Sequence, residues 1–132
     1  MAEELTPSQL ATLKSALRDR FETLRQTLHE HLLKSDDERA RLLADSVRDT
    51  EEDSVTDLVI DLDLAEIDRD LGELRDVEQA LERMRELAYG RCMDCRTTIP
   101  YERLNAYPTA KRCLRCQSMH EKTFAGTRTP RL

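Results

Sequence analysis

The sequence contains no tryptophan, and aromatic residues make up only 4% of its 132 positions. Glycine (3) and proline (4) are scarce, and three of the four prolines lie beyond residue 99. With 36% charged residues, the chain is too polar for a rounded globular core, and the composition fits long exposed helices. No segment approaches the roughly 20 apolar residues needed to span a membrane. The N-terminus, MAEEL, lacks the apolar run of a signal peptide. The expectation is a soluble, cytoplasmic protein with no membrane partner. There is no glycine-rich phosphate loop and no nucleophile–histidine arrangement, and none of the many carboxylates is recognisably buried. Nothing here composes an active site, so the expectation is a protein that is not an enzyme.

What is present is unevenly distributed. Residues 36–70 carry 14 Asp/Glu against 4 Arg, whereas residues 91–132 carry 9 Lys/Arg against 3 Asp/Glu. An acidic middle is joined to a basic end. The acidic part would repel nucleic-acid phosphates, and the basic part could tolerate them. Charge runs are more often only solvated faces.

Thr6-Pro7-Ser8-Gln9 reads as a helix start: Thr6 as N-cap, Pro7 at the first helical position, and Gln9 closing a capping box. Leu10, Leu13, Leu17, Phe21, Leu24, Leu28 and Leu32 then recur at intervals of three and four, one stripe along a helix. Ser35 and Glu38 could form a second capping box and restart a helix, or the first helix could run straight through. Residues 48–54 hold no apolar side chain. Periodicity resumes at Val55, Leu58, Leu62, Leu64, Ile67, Leu71, Leu74, Val77, Leu81, Met84 and Leu87. This predicts a second helix from about Ser54 to Ala88, on the order of 50 Å long, capped at its end by Gly90. Two thin stripes need each other. The expected fold is all-α: a long antiparallel helical hairpin over 1–88 with an acidic tip near 48–54. An intermolecular coiled coil is the alternative, although an intramolecular hairpin favours a monomer.

All four cysteines lie near the other end. Cys92, Cys95, Cys113 and Cys116 form two Cys-x-x-Cys knuckles separated by 17 residues, the spacing of a four-thiolate zinc site. Four protein ligands leave no position for water, so such a zinc ion is structural. Two disulfides would suit an oxidising compartment, and a thiol-redox motif would need only one Cys-x-x-Cys. His120 could replace a thiolate, but four better ligands are present and it reads as a solvated helix residue. Ile99, Leu104 and Tyr101 offer a very small core that could not stand without the metal. The module is expected over 89–124, ending in a short helix from Leu114 to about Phe124, with a flexible basic tail over 125–132.

The zinc segment, YGRCMDC followed by IPYERLNAYPTAKRC and LRCQ, resembles the bacterial DksA/TraR family of RNA polymerase regulators. The shared pattern is Tyr/Phe-Gly before the first knuckle, an Ile-Pro-like turn, Arg-Leu, Ala-x-Pro-x-Ala and the second knuckle. With the helices, the resemblance covers almost the whole chain. It implies a coiled coil that enters the secondary channel of RNA polymerase and brings its tip toward the catalytic centre. The family's tip signature, Asp-x-x-Asp-x-Ala, falls on Asp49 through Ser54. Asp49 matches, Glu52 keeps the charge with one more methylene, and Ser54 brings a hydroxyl. Arg103 matches a basic polymerase contact, and Arg69 matches one residue that holds ppGpp in responsive members. Asp76 and Gln117 stand where those members carry lysines, so weak or absent ppGpp dependence is implied. Arg96 replaces the usual glycine after the second cysteine, which would strain a positive φ. No sequence-specific DNA binding is implied. The competing function is a nucleic-acid-binding zinc module with a dimerising coiled coil, which the basic end permits.

Overall fold

The computed structural model describes residues 4–50 and 54–127, the last four by backbone alone. Six helices follow in order: α1 (Pro7–Leu33), α2 (Glu38–Asp49), α3 (Thr56–Val59), α4 (Ala65–Arg85), α5 (Tyr101–Ala106) and α6 (Leu114–Thr127). The described residues contain no strand, only one isolated antiparallel bridge between Arg91 and Thr98. Among them, no helix is long and apolar enough to cross a membrane.

α1 begins as its sequence dictates. Thr6 Oγ1 accepts from the Gln9 amide at 3.1 Å, and the Gln9 side chain accepts from the Thr6 amide at 3.0 Å. This capping box satisfies two of the amides that a helix start leaves unpaired. Leu13, Leu17, Phe21, Leu24, Leu28 and Leu32 are all buried. They face Ile67, Leu74, Val77, Ala80 and Leu81 of α4. The two helices run antiparallel: His31 Nδ1 lies 2.7 Å from Asp70 Oδ2 near one end, and Arg20 pairs with Glu73 nearer the other. This pair is the long hairpin of the fold.

α1 does not run through residues 34–38. It ends at Leu33, and the chain restarts at Glu38 with Asp37 as N-cap, its carboxylate accepting from the Arg39 amide at 2.8 Å. Of the two alternatives the helix restarts, with Asp37 and not Ser35 as its N-cap. Ser35 is buried, accepting from the Asp37 amide (3.1 Å) and donating to Glu66 Oε1 at the start of α4 (3.2 Å). α2 then returns along α1. His29 Nδ1 stands 2.8 Å from the Ala44 carbonyl, and Arg25 Nη1 donates to the Thr50 carbonyl at 2.5 Å.

The returning arm is not the single helix expected from Ser54 to Ala88. It is split into α3 and α4 by a break at 60–64, where Asp63 adopts φ 45°. Tertiary contacts hold the break. Thr56 donates its amide (3.1 Å) and hydroxyl (2.5 Å) to the Glu78 carboxylate, pinning α3 against α4. Gly90 is not the cap of α4 either. The helix ends at Arg85, and Leu87 takes the left-handed conformation (φ 60°). Its amide donates to the Met84 carbonyl (3.2 Å), and the Ala88 amide to the Arg83 carbonyl (2.8 Å), the paired bonds of a Schellman turn.

Candidate metal centre

The turn that ends α4 delivers the chain to Tyr89 and Gly90. Gly90 has φ 87°, and a Cβ there would meet Leu5 Cδ1 at 3.0 Å. Glycine is required by both the backbone and the close approach of Leu5. The Gly90 carbonyl accepts from the Ile99 amide (2.7 Å), and the Thr97 carbonyl accepts from the Cys92 amide (2.8 Å). These bonds fold 90–99 into a tight hairpin around the first knuckle. Its apex is Arg96, at φ 66°, whose amide donates to the Cys92 carbonyl (3.0 Å). The strain expected for an arginine in a glycine position is therefore present. Pro100 then leads into α5, where Leu104 is fully buried beside Ile99.

The second knuckle opens α6. Its register against the first is set by the Met93 amide, which donates to the Lys111 carbonyl at 2.9 Å, and by Arg112 Nε, which donates to Asp94 Oδ2 at 2.9 Å. In each knuckle the amide of the second cysteine points at the sulfur of the first, 3.5 Å in both cases. Such donors stabilise thiolate charge. The four Sγ atoms all lie within 4.8 Å of one another, and Cys95 and Cys113 are 3.8 Å apart. A zinc–sulfur distance of about 2.3 Å gives a tetrahedron with an edge of about 3.8 Å. A disulfide would need about 2.05 Å. The donor set fits one structural Zn²⁺ held by Cys92, Cys95, Cys113 and Cys116.

Two groups beside the sulfurs were not legible as part of the site. Thr97 Oγ1 lies 2.9 Å from Cys95 Sγ, and this hydrogen bond is the main reason that the Cys95 thiol is lowered to about 6. The Arg115 guanidinium lies in the field of Cys116, Cys95 and Cys113, which raises its pKa. A four-thiolate zinc centre carries a net double negative charge, and Arg115 offsets part of it. The only signal in the sequence was proximity: each residue is within two positions of a cysteine.

The remaining site residues are dispersed. Asp49 is exposed at the end of α2, its carboxylate 2.8 Å from Arg48 Nε, which holds its pKa below the usual range. Ser54 Oγ donates to Asp57 Oδ2 at 2.6 Å. Glu52 lies outside the described residues. Arg103 Nε donates to the Arg112 carbonyl at 3.0 Å, and its guanidinium lies 5.7 Å from the Tyr107 ring. Arg69 is 91% exposed, with Glu73 Oε1 3.8 Å away. Asp76 lies 3.6 Å from Lys111 Nζ, an ion pair between α4 and the zinc module. Gln117 donates to Glu121.

These features define a helical-hairpin protein with a C4 zinc module at its base. Residues 88–122 match the prokaryotic dksA/traR C4-type zinc finger. The chain is 27% identical over 127 residues to the RNA polymerase-binding transcription factor DksA of Escherichia coli K12, covering 94% of this chain and 81% of that protein; the match to DksA of Salmonella typhimurium has the same extent. It is 42% identical over 64 residues to general stress protein 16O of Bacillus subtilis, which covers 48% of this chain but only 38% of that relative. No solved structure gives a significant match. The zinc segment matches the dksA/traR zinc-finger family, and the chain as a whole is similar to DksA.

Proposed function

We propose that this protein is a non-enzymatic, cytoplasmic transcription regulator that binds RNA polymerase and places its helical arm in the secondary channel. The observation that carries this reading is the extent of the similarity to DksA, 94% of the chain, which takes in the helices as well as the metal centre. The charge distribution supports it. A basic, zinc-stapled foot suits anchoring on an acidic enzyme surface, and an acidic segment that includes Asp49 suits action near basic loops or a catalytic Mg²⁺, which prefers oxygen ligands. In this reading Asp49, Glu52 and Ser54 act on the polymerase, and Arg103 contacts it. The α1–α4 pairing within one chain supports a monomer.

Little ppGpp dependence is expected. Asp76 lies on α4 and is paired with Lys111, so a carboxylate and its partner occupy the place where the resemblance puts a free lysine. Arg69 alone would face a tetra- or penta-anion.

The test is competition for RNA polymerase against an established secondary-channel factor, with zinc-loaded protein, followed by in vitro transcription with and without ppGpp. Mutually exclusive binding is expected. Asp49→Asn should keep that binding and lose the effect on transcription. Strong salt-dependent DNA binding without polymerase binding would instead favour the nucleic-acid-binding zinc module.

A further inference from the structure

Thr50, which caps the end of α2, does not stand beyond the end of α1. α2 turns back at 34–37 and runs antiparallel along α1, so Thr50 sits beside Arg25 and Asp49 lies within the field of His29. At 1.5 Å per residue, Arg25 lies about 12 Å short of the end of α1. The apolar hold on α2 is thin. It buries only Ala40, Ala44 and Val47, whereas α1 buries five leucines and Phe21. Leu42 is 71% exposed, and Leu58 and Ile60 are also exposed on this arm. Val55 and Val59 add two buried side chains at α3, and polar contacts complete the fastening: His29 to the Ala44 carbonyl, Arg25 to the Thr50 carbonyl, and Thr56 to Glu78. The joints are short. One is the capped turn 34–37, the other the break 60–64 with Asp63 at φ 45°. Short element-terminal segments of this kind absorb the dihedral changes of hinge motions.

We propose that α2 and α3 form a hinged arm that swings off α1 and α4 on engaging the polymerase, as α1 and α2 merge into one helix and carry Asp49 outward. The inference rests on the channel-binding reading above. α1 alone, with 27 residues, is about 40 Å long, and a continuous helix over 7–49 would be about 65 Å. The free protein is the compact state, and the partner supplies the contacts that replace those the arm gives up.

Glu38→Pro separates the two states. Glu38 is the first residue of α2, where proline's fixed φ and missing amide are tolerated. Asp37 before it is already extended (φ −80°, ψ 120°), as a residue preceding proline needs to be. In a merged helix the same proline would stand mid-helix and break it. Asp37→Ala acts in the other direction by removing the N-cap of α2. Spin labels on ketone-bearing residues at Ser15 and Ser46, both exposed, leave the four cysteines untouched. Their separation is expected near 20 Å in the folded-back arm and about 46 Å in a merged helix.

The free protein should show the short distance and the polymerase-bound protein the long one. Glu38→Pro should keep its zinc, stay at the short distance with polymerase present, and lose at least tenfold in its effect on transcription. A bound protein that retains the short distance, or a Glu38→Pro variant that regulates like the wild type, overturns the proposal. Should the wild type not bind polymerase at all, the functional reading fails. The arm is then judged in the free protein: a long-distance population in Asp37→Ala supports the hinge, and an unchanged short distance overturns it.

Discussion

The hydroxyl of Tyr89 donates to the carbonyl of Pro108 at 2.7 Å, joining the segment that leaves α4 to the loop before the second knuckle. Tyr89 is buried, and burial pushes its phenol from the usual 10 up to about 12. Tyr89→Phe keeps the packing and leaves the Pro108 carbonyl without this donor, which costs about 1–3 kcal/mol. Denaturant unfolding of the zinc-loaded protein measures it, and an unchanged midpoint would mean that water replaces the bond. The pH dependence has a definite sign. The neutral phenol is favoured in the folded state, so its contribution is complete below pH 10 and is lost as pH rises through 12. Tyrosinate absorbance should therefore appear later than in the unfolded chain.

Much of this arrangement was legible in the residues. The capping box at Thr6, the leucine stripe of α1, the four sulfurs and the strain at Arg96 each depend on local spacing or local backbone chemistry. What was not legible depends on contacts between distant residues. No proline or glycine punctuates 55–67, so the break at 60–64 left no signal beyond the two-residue step from Leu62 to Leu64. It is held by Glu78 and by Ser35 with Glu66. Gly90 misled for a related reason: it is spent on the approach of Leu5, and the left-handed cap falls to Leu87. The folding back of α2 follows from the same cause, since a turn that can restart a helix does not say in which direction.

Leu87 is 91% exposed at φ 60°. A non-glycine residue in this region costs roughly 1–2 kcal/mol, and the side chain recovers almost nothing by burial. Leu87→Gly should stabilise the protein by about 1 kcal/mol after the entropy that glycine brings to the unfolded chain, raising the melting temperature by a few degrees. A lower melting temperature would show that Leu87 packs usefully at the base of the hairpin.

Arg103 carries two readings that one assay separates. Its bond to the Arg112 carbonyl braces the residue immediately before Cys113. Arg103→Ala should therefore release zinc to a chelator several-fold faster than the wild type, with no polymerase present. Should zinc release be unchanged while polymerase binding falls, Arg103 acts as a contact and not as a brace.

Removing the metal should divide the molecule. The zinc module buries few apolar side chains of its own, chiefly Tyr89, Ile99, Leu104 and Ala110, too few to hold residues 89–123 without the metal. The α1–α4 pair has its own leucine core and a separate capping box. Chelation should collapse the amide dispersion of 89–123 in a nuclear magnetic resonance spectrum while the α1 and α4 signals persist. Because the ligands bind as thiolates, protons compete with zinc, and less chelator should suffice as pH falls. Loss of the α1 and α4 signals at the same chelator concentration would show that the hairpin needs its foot to fold. Retention of the 89–123 signals would show that the small core stands without the metal.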